Sequence, residues 1–298
     1  MKYNQLGKSD FLVSEIGFGC MSLKAVEKDN IELVNQAIEA GINFFDTADI
    51  YNQGQNEILV GKALKRKRND LIIATKVGNQ WRKDGSGLDW NPRKEHIIAA
   101  IEESLQRLQT DYIDLYQLHG GTINDPIDET IEAFELLQQQ GKIRFYGISS
   151  IRPNVIREYV HRSKIVSVMM QYSLLDRRPE ENCFDILNDN NIAVLARGSV
   201  AQGLLINKPA KEYLDYTKEE VAKASAAIAS LSKEKRNKTQ TAIGFVLKQP
   251  PVTCAVVGFS SGEQLQDAIK LSESPELSAD EIEFLKNTIP PNYYKEHR

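Results

Sequence analysis

Short apolar segments alternate with longer segments of helical periodicity along nearly the whole chain. Eight of the apolar segments are five to eight residues long and rich in β-branched or aromatic side chains, which is typical of buried strands. The predicted strands span residues 14–20, 42–46, 71–76, 112–119, 143–149, 165–171, 192–196 and 253–258.

The segments between these strands place apolar residues three and four positions apart, as amphipathic helices do. The first of them ends at Gly41, a residue that commonly terminates helices. The predicted helices span residues 30–41, 97–108, 128–141, 155–162, 183–191, 219–235, 241–249, 262–271 and 279–288.

Eight strands alternating with helices predict an α/β fold with a parallel sheet, and their number fits a closed (β/α)8 TIM barrel. An open doubly wound sheet usually carries GxGxxG after its first strand, whereas GFGCMS at 17–22 has no third glycine. We therefore predict one barrel domain over residues 1–298, with long loops at its C-terminal face. The opening segment predicts a β-hairpin around Gly-Lys-Ser-Asp that covers one barrel end.

Composition and charge exclude several classes of protein. The chain is 41% hydrophobic and 26% charged, with a net charge of −4, which argues against a nucleic-acid partner. No apolar run approaches the roughly 20 residues that span a membrane, and MKYNQLGKSD lacks the apolar segment of a signal peptide. Three scattered cysteines without a CxxC motif favour a reduced cytoplasmic setting, with no metal site and no disulfide.

Candidate catalytic groups follow three neighbouring strands. In a barrel of this kind the catalytic residues lie at the C-terminal ends of strands, where this sequence places Asp46, Lys76 and His119. Tyr51 follows Asp46 in the polar loop after the second strand. A turn aspartate, a surface tyrosine or a core histidine would each be an ordinary finding, but the four together favour a site.

The four side chains suit protonation of a developing alkoxide. Tyrosine has a pKa of about 10, and a nearby lysine ammonium lowers it, so we expect Lys76 to activate Tyr51. Asp46 would hold the lysine, and His119 would orient a substrate oxygen. A hydrolase or lyase that used Asp46 and His119 would leave Tyr51 and Lys76 without a role. Asp49 is interpreted as a loop residue rather than a second catalytic carboxylate.

Three motifs make the chain resemble the aldo-keto reductases, which are NAD(P)-dependent (β/α)8 barrels. DTADIYNQGQNEILVGKAL resembles the family's signature, while ATKVG and DYIDLYQLH match the segments around its lysine and histidine. The resemblance implies that Tyr51 is the general acid, that Lys76 and Asp46 tune it, and that His119 orients the carbonyl. Hydride would pass from nicotinamide to the carbonyl carbon.

The resemblance also implies where a nicotinamide would bind. Ser149 and Gln171 match family positions, but Ser150 replaces the usual asparagine. In ARGSVAQGLL, Arg197 occupies the position of an aromatic side chain that stacks on the nicotinamide. A planar guanidinium can also stack on a ring, although a solvated arginine is the alternative.

The adenosine end departs from the family pattern in VVGFSSGEQLQDAIKL. Ser260 and Ser261 stand where a basic residue often occurs, and Ala268 replaces an asparagine. A helix N-terminus with two serines still suits a phosphate, and Lys208 could reach a diphosphate. The resemblance to the family favours NADP, and NAD remains an alternative because the basic residue is missing. The other expected cofactor contacts are Gly19, Cys20, Met21, Gly198, Ser199, Gln202, Gly258 and Gln264.

The substrate-pocket wall is predicted from the loops. Trp81 and Trp90 lie in the long segment 79–92, where they either face the mouth, with Met21, or pack beneath the loop. If they face the mouth, they favour an apolar or aromatic carbonyl compound. The tail at 290–298 either covers the mouth or lies in solvent.

These observations predict an NADP-dependent reductase of a small-molecule aldehyde or ketone. The alternative is a redox sensor or regulatory subunit that binds nicotinamide with little turnover. A multiple-turnover assay with generic aldehydes would distinguish the two functions. The sequence makes no prediction of oligomeric state.

Overall fold

The computed structural model describes residues 1–23, 27–232 and 235–298 and contains a closed barrel of eight parallel strands. The strands of the described residues are β1 (Tyr3–Gln5), β2 (Leu12–Ser14), β3 (Ile16–Gly19), β4 (Phe44–Asp46), β5 (Ile72–Val77), β6 (Asn79–Trp81), β7 (Leu88–Trp90), β8 (Ile113–Leu118), β9 (Ile143–Ser149), β10 (Ser167–Gln171), β11 (Ala193–Arg197) and β12 (Val252–Val257). Around the barrel the order is β3, β4, β5, β8, β9, β10, β11 and β12, and β12 pairs with β3. The predicted barrel is confirmed.

Helices connect these strands on the outside. Those of the described residues are α1 (Glu27–Glu39), α2 (Gln55–Leu64), α3 (Lys94–Leu108), α4 (Ile127–Gln139), α5 (Pro153–Arg162), α6 (Cys183–Asp189), α7 (Lys218–Leu231), α8 (Lys238–Leu247), α9 (Gly262–Ile269) and α10 (Ala279–Thr288). The predicted helix 219–235 includes residues 233–234, which lie outside the described residues. Within the described ranges, no helix is both long and apolar enough to cross a membrane.

Helix α2 is absent from the predicted helices, and two further differences from the predicted elements have local causes. The first predicted strand, 14–20, is divided at Glu15 into the end of β2 and the barrel strand β3. The segment 79–92 is not an irregular loop, because β6 and β7 pair as an antiparallel hairpin in which Trp81 faces Leu88. Asp84 and Gly85 supply the turn, which the polar residues around it concealed.

The N-terminal hairpin closes the bottom of the barrel, as predicted. Leu6 and Val13 are completely buried and belong to the same apolar cluster as the interior residues Phe44, Ile72 and Leu195. A cluster of this kind excludes water from the N-terminal end of the barrel. The opposite end is therefore the one at which polar side chains can reach solvent.

Gly7, in the turn of this hairpin, fits against the barrel more closely than any side chain could. Its φ is +53°, and a Cβ atom there would lie 2.2 Å from the carbonyl oxygen of Val166. Both the left-handed backbone and the close approach require glycine at this position.

We expect Gly7→Ala to lower the free energy of unfolding by about 3 kcal/mol, because the added methyl group must displace backbone atoms. Gly85→Ala is the matched control, since Gly85 has a φ of +72° but no atom within 4 Å of its added Cβ. That control should lose only about 1 kcal/mol, the cost of the left-handed conformation. Chemical denaturation of both variants checks the difference, and equal losses would contradict the close-packing argument.

Candidate active site

Alternation along the strands carries the predicted catalytic residues to the top of the barrel interior. Side chains two residues apart share one face of a strand. Asp46 therefore follows the interior residue Phe44, and Lys76 follows the interior residue Ala74. The same step places Gln117, Gln171 and Arg197 above interior Leu115, Met169 and Leu195. The apolar interior thus ends in a polar layer.

Lys76 and Asp46 form a buried ion pair in this layer. The Lys76 ammonium donates to Asp46 Oδ2 and to the carbonyl oxygen of Thr47, both at 2.7 Å. Gln117 Nε2 donates to Asp46 Oδ1 at 3.3 Å. Burial lowers the pKa of Lys76, but Asp46 and the Tyr51 hydroxyl raise it by more. The ammonium therefore stays charged although its side chain is only 1% exposed.

Tyr51 places its hydroxyl group 3.5 Å from the Lys76 ammonium. Lys76 lowers the pKa of Tyr51, as expected from the sequence, but burial raises it by more. The net pKa lies above the ordinary value, so the expectation of a lowered pKa is wrong for this cavity. The phenol consequently keeps its proton, which is the form that a proton donor requires.

The backbone that carries Tyr51 is tightly constrained. Asn52 and Gln53, directly after it, have left-handed φ values of 47° and 52°. At the start of α2, the side-chain amide of Asn56 donates through Nδ2 to the carbonyl oxygen of Cys20 at 2.9 Å. Its Oδ1 accepts from Thr47 Oγ1 at 2.6 Å. These bonds fasten the loop to the strand ends.

Glu57 anchors the same helix from inside the protein. Its carboxylate is completely buried, accepts from Thr75 Oγ1 at 2.6 Å and pairs with Arg107 Nε at 2.7 Å. Sequence reasoning missed the roles of Asn56 and Glu57. Their position as polar residues at the start of α2, directly before the apolar segment 58–60, is the sequence signal that could have indicated these roles.

His119 faces Tyr51 as a neutral imidazole. The two rings meet edge to face, with centroids 5.9 Å apart and an interplanar angle of 82°. Burial, together with the positive charges of Lys76 and Arg197, lowers the pKa of His119 to about 3. Its Nδ1 is buried and has no partner among the described residues. The ring is therefore available as a neutral hydrogen-bonding group.

A cavity of about 720 Å³ opens above these four residues. It brings together most of the residues expected to bind a cofactor, namely Gly19, Met21, Ser149, Gln171, Arg197, Gly198, Ser199, Gln202, Lys208, Gly258, Ser260 and Gln264. The described lining does not include Cys20 or Ser150. Cys20 is completely buried, and the Ser150 hydroxyl accepts a bond from the amide of Arg152 at 3.2 Å.

Three side chains interact across the part of the cavity that follows β10 and β11. Arg197 Nη1 donates to Gln171 Oε1 at 2.9 Å, and Gln171 Nε2 donates to the Tyr213 hydroxyl at 3.1 Å. Tyr213 was not predicted, because it lies in a loop without periodicity. Its loop is placed by the tertiary structure alone.

A second group of unpredicted residues comes from the start of α8. Asn237, Lys238 and Thr239 line the cavity beside Gln264 and Asp267 of α9. The side chain of Asn237 caps α8 and also donates to Asp267 Oδ1 at 3.2 Å. The segment Asn-Lys-Thr before an apolar run indicates the start of a helix. It does not indicate that this helix start lies near the end of the last strand.

The two tryptophans do not line this cavity in the described residues, whereas Met21 does and is 70% exposed. Trp90 donates to Asp125 Oδ1 at 2.9 Å, and its ring packs over Gly78 and Gly120. Trp81 donates to the carbonyl oxygen of Ile50 at 3.3 Å. Both indoles therefore support the loops next to Tyr51 and His119.

The C-terminal tail is held against loops at the same face of the barrel. The Tyr216 hydroxyl donates to the carbonyl oxygen of Pro290 at 2.9 Å, and Lys295 pairs with Asp215 at 2.7 Å. Farther along, the amide of Asn154 donates to the carbonyl oxygen of His297 at 2.9 Å. The tail thus fixes the loop that carries Tyr213.

Comparison with known proteins places the chain in a family. The sequence profile of the Aldo/keto reductase family matches residues 15–289. The uncharacterized oxidoreductase YqkF of Bacillus subtilis is 48% identical, with 100% of each chain covered. The NADH-specific methylglyoxal reductase of Escherichia coli is 33% identical over 72% of this chain and 72% of its own length.

A solved structure is similar over the same extent. The aldo-keto reductase AKR11C1 of Bacillus halodurans, in its holo form, superposes with a TM-score of 0.94 at 49% identity. The alignment covers 100% of this chain and 99% of that one. The apo form of the same protein superposes with a TM-score of 0.86.

The carboxyl group of Asp49 is expected to make the stability of the fold depend on pH. It lies between Asp46 and Tyr51, and its buried Oδ1 has no partner among the described residues. Burial, reinforced by Glu57, raises the pKa of Asp49 to about 8. The folded chain thus holds a proton that the unfolded chain releases near pH 4. Its contribution to stability is complete below about pH 4 and is lost as the pH rises toward 8.

We expect Asp49→Asn to be more stable than the wild type by about 2 kcal/mol at pH 8 and equal to it near pH 4. Denaturation curves across this pH range test the expectation, with the exposed Asp111→Asn as control. A stability difference that does not change with pH would show that Asp49 is ionised in the folded protein.

Proposed function

Because this chain belongs to the aldo/keto reductase family of nicotinamide-dependent oxidoreductases, we propose that it reduces an aldehyde or ketone to an alcohol with NADPH. The observation that carries the proposal is the Tyr51 hydroxyl, 3.5 Å from a buried lysine that is itself paired with Asp46. This hydroxyl lies at the wall of a cavity large enough for a substrate.

Each catalytic side chain then has one task. Tyr51 gives its proton to the carbonyl oxygen as negative charge develops there. The Lys76 ammonium stabilises the phenolate that results, and Asp46 keeps that ammonium in place. His119, which is neutral, orients the carbonyl oxygen through a hydrogen bond without competing as an acid. A nicotinamide cofactor, when bound, supplies the hydride.

The cavity also has groups that fit a dinucleotide. Ser149 and Gln171 offer polar atoms near the catalytic residues, and the buried Ser199 hydroxyl has no partner among the described residues. Lys208 and the N-terminus of α9 suit phosphate groups, because cations and helix N-termini both attract anions. The greater similarity to a holo structure than to its apo form supports this fit.

The preference for NADP rests on Lys238. Ser260 and Ser261 supply no positive charge after the last strand, but Lys238 enters the same part of the cavity from α8. An ammonium there would attract a 2′-phosphate. Asp267, on the same wall, has the opposite effect, and one relative is named for NADH specificity. We favour NADP over NAD because the Lys238 ammonium has no partner among the described residues.

We also propose a cytoplasmic location. Three free cysteines, Cys20, Cys183 and Cys254, are all buried. Such thiols persist in a reducing compartment.

Tyr51→Phe should lower kcat for 4-nitrobenzaldehyde reduction by at least about 100-fold, because the proton donor is lost. NADPH binding, followed by fluorescence, should stay within about twofold, since the ring remains. Tyr293→Phe is the matched control, because Tyr293 is 54% exposed. Undiminished turnover in Tyr51→Phe would contradict the assigned proton donor. Wild-type binding without turnover would favour a nicotinamide-binding sensor.

Lys238→Gln should raise the Kd for NADPH by about tenfold or more while leaving the Kd for NADH nearly unchanged, because one charge-assisted hydrogen bond is lost. Lys270→Gln, an exposed lysine near the end of α9, serves as control. Equal weakening of both nucleotides would instead assign Lys238 to the diphosphate that they share.

A further inference from the structure

The side-chain amide of Gln171 is bonded at both of its ends. Arg197 Nη1 donates to Gln171 Oε1 at 2.9 Å, and Gln171 Nε2 donates to the Tyr213 hydroxyl at 3.1 Å. A guanidinium has donors only, so the amide oxygen faces Arg197 and the amide nitrogen faces Tyr213. A Cβ atom on Gly198 would lie 3.3 Å from Gln171 Cγ, so the stem of the side chain is closely packed as well. The amide therefore has one defined orientation.

This amide keeps hydrogen-bonding capacity that its two partners do not use. An amide oxygen can accept two bonds and an amide nitrogen can donate two, whereas Arg197 and Tyr213 take up one each. Gln171 lines the same cavity as Tyr51 and His119. One acceptor position and one donor position are thus left for a ligand, and a primary carboxamide complements that combination.

Tyr213 begins a tight turn with an uncommon backbone conformation. The backbone N–H groups of Tyr213 and Tyr216 each donate to the carbonyl oxygen of the other residue, at 3.1 Å and 3.0 Å. Between them, Leu214 has a left-handed φ of 52°, which is uncommon for a bulky side chain. Its side chain is 47% exposed, so packing does not hold it there. The two backbone bonds that close the turn hold it instead.

The C-terminal tail anchors this turn from outside. The Tyr216 hydroxyl donates to the carbonyl oxygen of Pro290 at 2.9 Å, and the Tyr216 side chain is buried in the core. Lys295 pairs with Asp215 at 2.7 Å, although an exposed pair of this kind contributes little alone. Tyr216 is therefore the main anchor, and the backbone bonds of the turn carry its fixed position to Tyr213.

Tyr213 is the more rigid of the two side chains that hold the Gln171 amide. Arg197 is long and exposed, and its resemblance to the family position implies that it stacks on the nicotinamide. Tyr213 has a flat ring with two side-chain torsions, is half-buried and packs against the core. The bond to Tyr213 is thus the one that does not depend on where a ligand directs Arg197.

We infer that Tyr213 is a positioning residue for the cofactor, which fixes the orientation of the Gln171 amide and through it the direction of the nicotinamide carboxamide. The inference rests on the proposed nicotinamide-dependent function and adds a residue to it. The carboxamide is the polar substituent of the nicotinamide ring, so its direction determines how the ring lies beside the catalytic residues. Without the Tyr213 hydroxyl, the terminal torsion of the glutamine side chain is less restricted, because such torsions have broad minima.

The test compares NADP⁺ with its 3-acetylpyridine analogue, in which a methyl group replaces the amide nitrogen of the carboxamide. The two dinucleotides are otherwise identical, so the ratio of their Kd values reports on the carboxamide end alone. Isothermal titration calorimetry measures both Kd values on the full chain without turnover. A change in the loop that weakens both dinucleotides equally cancels in this ratio.

In the wild type we expect a preference for NADP⁺ of about tenfold, because the analogue leaves the Gln171 amide oxygen without one donor. Tyr213→Phe keeps the ring and should reduce the preference to about twofold, since the amide is no longer held in one orientation. Gln171→Met has a similar length without an amide and should abolish the preference. Tyr293→Phe, at a side chain that is 54% exposed, should leave it unchanged.

A double variant shows whether Tyr213 acts through Gln171. Residues that act through one another are not additive. Tyr213→Phe should therefore have no effect on the ratio of Kd values when it is combined with Gln171→Met. A further change of the ratio in the double variant would assign Tyr213 a contact of its own with the carboxamide and would overturn the positioning role.

The remaining outcomes separate the inference from the function on which it rests. If Tyr213→Phe raises both Kd values by the same factor, Tyr213 only supports the loop and the inference is wrong. Equal Kd values in the wild type would show that the Gln171 amide does not recognise the carboxamide, which overturns the inference and leaves the reductase proposal intact. Absence of binding of NADP⁺, NADPH and NADH would contradict the reductase proposal and the inference together.

Discussion

The buried ion pair between Lys76 and Asp46 is the interaction on which the site depends. A charged lysine inside the barrel would be very unfavourable alone, since an uncompensated buried charge costs about 3–5 kcal/mol. Asp46 compensates it, and the Thr47 carbonyl and the Gln117 amide satisfy the remaining atoms. The pair is therefore fixed in position, and it fixes the position of the charge that acts on Tyr51 in turn.

The barrel separates stability from chemistry along its axis. The N-terminal hairpin seals the lower end with Leu6 and Val13, and the interior above it is apolar. The same strand faces become polar at the last or next-to-last residue of each strand, where an open cavity replaces the core. Because side chains alternate strictly, a strand that contributes Phe44 to the core must also present Asp46 to the site.

The cavity combines groups from distant parts of the chain. Lys208 and Lys238 line one part of it and carry positive charge there, and Arg197 lines it near Asp46, Tyr51 and His119. The tail fastens the loop of Tyr213 from outside through Tyr216. Most of these residues lie on loops or helix ends, so the rigid strands determine where the chemistry occurs, and the loops determine what can bind there.

The sequence by itself determined the alternation of strands and helices, the N-terminal hairpin and the positions of Asp46, Tyr51, Lys76 and His119, because periodicity and motifs are local. Only the tertiary structure decided which distant segments meet. It placed Lys238 in the cavity beside the end of the last strand, where the serines carry no positive charge. It also placed Trp81 and Trp90 in contacts that support neighbouring loops, and it buried Tyr51 enough to raise the pKa of its phenol. Contacts and burial depend on how the closed barrel packs its loops, and no local pattern specifies that packing.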